Sequence, residues 1–98
     1  MNLEKSYDFD FLKNEAEKLV IAELGEQLDL QQGKVCLCND CVVDMAAIAL
    51  NSVKPLYRFS LLGTMYAVQA MNEKSYADSV KSAVANAIKK VQENPSHD

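Results

Sequence analysis

The stretch KVCLCNDCVVDMAAIALN, Lys34 to Asn51, gathers every cysteine of the chain into six positions and runs directly into an almost unbroken apolar segment. A fold for this chain must satisfy both features together. It has to bury a helix with little polar surface, and it has to place three thiols where that helix begins. Val42, Val43, Met45, Ala46, Ala47, Ile48, Ala49 and Leu50 point in every direction around a helix spanning roughly Cys41 to Ser52. A helix that is apolar all round is normally enclosed by protein. With only 98 residues, one domain (1–98) is expected, burying roughly 60–65% of the surface its unfolded chain exposes. Enclosure in so small a domain calls for a second subunit, so a homodimer is expected.

The rest of the chain reads as helical. From about Asp8 to Leu28, Phe9, Leu12, Ala16, Leu19, Val20 and Leu24 recur at spacings of three and four, with Lys13, Glu17, Lys18 and Glu23 mostly opposite. LQQGKV then forms a loop carrying Gly33. Asn39 or Asp40 is expected to cap the apolar helix, and Lys54-Pro55 to follow its end, because proline disfavours helical geometry in the residue before it. Tyr57, Phe59 and Leu61 alternate as in a strand whereas Leu62, Tyr66 and Ala70 suit a helix, so an extended link leading into a short helix is expected. Ser75 is placed as the cap of a final helix whose stripe is Val80, Ala83, Val84, Ala87, Ile88 and Val91. The count is about four helices. Three glycines and two prolines leave few turn signals for a many-stranded β fold.

Charge narrows the function classes. A formal charge of −4, from acidic residues spread along the chain, gives little long-range attraction to a nucleic-acid polymer. No segment reaches the ~18–20 consecutive apolar residues needed to span a bilayer, and MNLEKSYDFDF lacks the basic and apolar regions of a signal peptide. No membrane association and a cytoplasmic location are expected. Reducing surroundings would keep the cysteines as thiols or thiolates, and their odd number argues against a closed disulfide framework.

In C-x-C-x-x-C, Cys36 and Cys38 project from a loop and Cys41 from the start of a helix. That arrangement can wrap one ion at short range. Thiolates bind zinc at ~2.3 Å, and structural sites commonly use three or four of them. Zinc is therefore the expected cofactor. No second C-x-x-C exists, so the fourth ligand is left among His97, which is the only histidine, Asp40, Asp44, a water and a group of a partner chain. The competing readings are three partly buried small hydrophobes and a redox pair at Cys38 and Cys41. Neither the base a catalytic thiol needs nor a thioredoxin-like strand pattern accompanies them. Asp44 and Asn51, seven residues apart, share one face of the apolar helix. They serve either as polar groups near the metal or a ligand pocket, or as register and capping residues.

The run CLCNDCVVDMAAIALNSVKPLY, with its cysteine cluster, an aspartate three residues on, A-x-A-L-N and P-x-Y, resembles the late competence protein ComFB family, as does the ending AIKKVQENPSH. The resemblance implies an all-α protein forming a symmetric homodimer. It implies zinc at Cys36, Cys38 and Cys41, and a non-enzymatic regulatory or adaptor role in competence or motility-type signalling. Some members of the family are receptors for cyclic dinucleotides, so cyclic di-GMP or cyclic di-AMP is an expected ligand class. Asp44, Asn51, Pro55, Tyr57, Pro95 and His97 match family positions. A two-purine, two-phosphate ligand needs cations and stacking planes. Lys54, Tyr57 and Arg58, the last being the sole arginine, are the candidate contacts. Two further classes stand beside this one: a protein-binding subunit whose metal only stabilises the fold, and a thiol redox protein.

Overall fold

The structure, a computed structural model, describes residues 1–95. Five helices and one small two-stranded sheet follow one another: α1 (Leu3–Ser6), β1 (Lys13–Asn14), α2 (Ala16–Asp29), α3 (Asn39–Leu50), β2 (Tyr57–Arg58), α4 (Leu61–Met71) and α5 (Lys74–Glu93). The fold is thus mostly helical, with an antiparallel pairing of Lys13 with Arg58 and Asn14 with Tyr57 that an all-α reading does not include.

The core is built by the expected helical stripes. On α5, Val80, Ala83, Val84, Ala87, Ile88 and Val91 are all buried, joined by Tyr76. Facing them are Ala16, Val20, Leu24 and Leu28 of α2 and Cys41, Met45 and Ala49 of α3, each set recurring every four residues. Val53, Leu56 and Ala67 complete the cluster. α3 packs mainly against α5 and also against α2, so most of its apolar circumference is covered within the one chain. Among its large apolar side chains only Val43 is left exposed. Exposed apolar side chains gather instead in two stretches: the segment before β1, at Leu3, Tyr7, Phe9, Phe11 and Leu12, and α4 with the residues before it, at Phe59, Leu61, Leu62, Met65, Tyr66 and Val68.

The first long helix starts at Ala16, eight residues later than the periodicity suggests, and Phe9 and Leu12 are about half exposed. The cause is Asn14. Its Oδ1 accepts from the backbone N–H of Ala16 at 3.2 Å and from that of Leu56 at 2.7 Å, while the Glu15 N–H donates to the Leu56 carbonyl at 2.9 Å. These bonds hold the segment before Ala16 against the chain after α3, and residues 13 and 14 become strand. The link beyond Pro55 is extended and leads into α4, as expected, with Ser60 Oγ accepting from the Gly63 N–H at 3.2 Å. The last helix begins at Lys74, so Ser75 lies inside it; Glu73 is the cap residue and makes no side-chain capping bond.

Beside the sheet, the guanidinium of Arg58 donates from Nε to the Glu15 carboxylate. This hydrogen bond holds the Glu15 carboxyl below its ordinary range, against a smaller upward push from desolvation. A carboxylate with a depressed native pKa stabilises the fold above its unfolded value, about 4.3, and that contribution disappears as pH falls through the native value. A Glu15→Gln variant is therefore expected to melt below the wild type at neutral pH. The gap should close in acid, a convergence that thermal scans across pH 7 to 2 would check.

Candidate metal centre

The cluster is assembled from three local features. Gly33, at φ +83°, lies in the left-handed region that favours glycine and turns the chain after α2, and the Lys34 N–H closes on the Gln31 carbonyl at 3.0 Å. From α5, the Gln92 amide donates to the Lys34 carbonyl at 3.3 Å, and Val35 packs against the core, so the loop enters the site from an anchored position. Cys38 is then the N-cap of α3, extended at φ −69° and ψ 158°, with its Sγ accepting from the Cys41 N–H at 3.4 Å. The Cys38 sulfur occupies the place expected for Asn39 or Asp40, both of which lie inside the helix and are exposed.

Cys36 and Cys38 are half-buried, Cys41 is fully buried, and the three Sγ atoms lie within 4.8 Å of one another. Tetrahedral zinc with bonds of ~2.3 Å would separate its sulfurs by about 3.8 Å, so only a small closure brings this set to bonding distance. Three convergent soft sulfur donors suit a thiophilic cation. Among the described residues, no histidine or carboxylate joins the sulfurs within that span. Asp44 is half-buried on α3, one turn beyond Cys41, and Asp40 faces solvent. His97 lies outside the described residues.

Asn51 is the exposed C-cap residue of α3, its backbone N–H donating to the Ala47 carbonyl at 3.1 Å. The suggested ligand contacts do not form one group. Neighbouring residues of a strand face opposite sides. Tyr57 is exposed and, with Lys54, Tyr66 and Glu73, lines an open cleft of about 400 Å³. Arg58 faces the other way, toward Glu15. The wall of the cleft is fixed by Tyr76, whose hydroxyl donates to the Lys54 carbonyl at 2.8 Å and whose burial raises its pKa. The Glu15 partner of Arg58 escapes sequence reasoning because the two are 43 positions apart with no local pattern joining them.

No helix among the described residues is long and apolar enough to cross a membrane. No curated protein matches the chain. The solved structure of the late competence protein ComFB from Bacillus subtilis is similar to it, with a TM-score of 0.69 at 26% identity over 87% of this chain and 92% of that one. The model of the late competence development protein ComFB family matches residues 13–95, a span containing the sheet, the cysteine cluster and all four long helices. With that span matched and the fold shared, the chain belongs to the ComFB family.

Proposed function

We propose that this chain is a non-enzymatic, dimeric regulatory or adaptor protein of the cytoplasm in which Cys36, Cys38 and Cys41 hold a structural zinc ion. The observation that carries the reading is the convergence of the three sulfurs within 4.8 Å at the start of α3. A metal there ties the 34–41 loop to the first turn of the helix that fills the core, which is how small domains with thin interiors commonly gain stability. Elemental analysis of protein purified without added metal is expected to find zinc close to equimolar with the chain. Its absence removes the proposal.

The dimer rests on α4. Leu61–Met71 contains no charged residue, and apart from Gln69 its exposed side chains are Leu61, Leu62, Met65, Tyr66 and Val68. Tyr57, Phe59, Leu61, Leu62, Met65 and Tyr66, 60–79% exposed, together present roughly 800 Å², about one side of a standard protein interface. A second copy of the chain suits such a surface. Two uncharged faces can meet without the repulsion that a net charge of −4 would otherwise bring.

A second reading, a cyclic-dinucleotide receptor, is favoured by the cleft in which Tyr57 and Tyr66 offer stacking planes beside Lys54. One lysine in a cleft that Glu73 also lines is little positive charge for two phosphates, so this reading needs the dimer to bring two clefts onto one ligand. Calorimetric titration with cyclic di-GMP and cyclic di-AMP decides it. Binding at micromolar ligand that is lost in Lys54→Ala supports the reading, and silence with both nucleotides ends it.

A further inference from the structure

We propose that Cys38 and Cys41 form a reversible dithiol–disulfide pair whose oxidation by a hydroperoxide empties the zinc site, making the metal centre a peroxide-responsive switch. The release of metal rests on the zinc reading above; the pairing of the two thiols does not.

The geometry singles out this pair. Cys38 Sγ already sits over the first turn of α3, 3.4 Å from the backbone nitrogen of Cys41. A disulfide needs β-carbons ~3.5–4.5 Å apart, and a sulfur lodged beside its partner's own backbone has little distance to close. Exposure orders the steps. Cys38, like Cys36, is half-buried and can be reached from solvent, whereas Cys41 is fully buried, suited to resolve and not to be attacked first; the 3.4 Å contact with the Cys41 nitrogen sets Cys38 ahead of Cys36 as its partner. A set of three thiolates also has no redundancy: a disulfide consumes two of them and leaves only Cys36.

Chemically, the Cys38 thiolate attacks the distal oxygen of the hydroperoxide. The O–O bond breaks, the alcohol (water, for hydrogen peroxide) departs with a proton, and Cys38 is left as a sulfenic acid. The Cys41 thiolate then attacks that sulfur. The S–S bond forms, the S–O bond breaks, and hydroxide leaves with a second proton as water. The two sulfurs lose two electrons in all, the peroxide gains them, and the zinc is released as the divalent ion. Reduction by a dithiol reverses the sulfur chemistry and restores three donors.

The test uses the full reduced chain, analysed for metal first. It is then treated with a small excess of hydrogen peroxide, while released zinc is followed with a chromogenic chelator and the products are mapped by non-reducing peptide mass spectrometry. The expected result is zinc release equimolar with an intrachain Cys38–Cys41 link, reversed by dithiothreitol and added zinc, with no intrachain link in Cys38→Ser. A link through Cys36, a link between chains, sulfinic acid as the main product, or a Cys36–Cys41 link in Cys38→Ser overturns the proposal. If the reduced chain carries no zinc, the metal reading fails by itself. The peptide map still decides the pair, since a Cys38–Cys41 link in the metal-free chain upholds it and any other product rejects it.

Discussion

Replacing Cys41 with serine is expected to strip the metal and lower the melting temperature by about 10–20 °C, the shift that ~2–4 kcal/mol gives in a domain of this size. Two losses add. The substitution removes one of three donors, and it places a hydroxyl at a position with no solvent exposure, between α3 and the rest of the core. The two are separable. A strong chelator acting on the wild type reproduces the metal part and leaves the smaller packing part, so treated wild type should melt between untreated wild type and the variant. Cys41→Ser itself should not respond to chelator. Calorimetric scans with and without chelator check this, and an unmoved wild type would show that the sulfurs contribute no more than apolar packing does.

A double substitution on α4, Leu62→Asp with Met65→Asp, is expected to turn a dimer into a monomer and weaken association by at least about 100-fold, because each interface would have to desolvate four carboxylates. Both side chains are 61% exposed in the single chain, so its fold should tolerate the change, and surface substitutions usually move stability by less than about 0.5 kcal/mol. The control is Val43→Asp, on the outward side of α3. Light scattering at low micromolar concentration should give a dimer for the wild type and for Val43→Asp, and a monomer for the α4 variant. Dissociation by Val43→Asp alone would return the interface to α3, and a monomeric wild type would remove it.

What the sequence makes legible follows from the range of the interactions involved. The α5 stripe from Val80 to Val91 is readable because twenty residues of uninterrupted helix repeat one amphipathic pattern. The thiol cluster is readable because its members are close in the chain, and their convergence needs only a turn at Gly33 and the start of α3. The start of α2 is misread because Phe9 and Leu12 have helical spacing, while the bonds from Asn14 and Glu15 to Leu56 come from a segment more than forty residues away. Periodicity carries no trace of such a pairing. Nor does it rank two helices that both lack a polar face of any width: α3 is covered because it packs against α5 and α2, whereas α4 lies at the edge of that cluster with only Ala67 fully inside. Arg58 looks like a phosphate ligand from its neighbours Tyr57 and Phe59, until the fold commits its guanidinium to Glu15.

The central claim is that three sulfurs share one cation, and X-ray absorption at the zinc edge, on protein purified without added metal, tests it most directly. The account predicts a first shell of three sulfurs at ~2.3 Å with one lighter or additional ligand. A shell of oxygen and nitrogen alone, or no zinc in the sample, would contradict it.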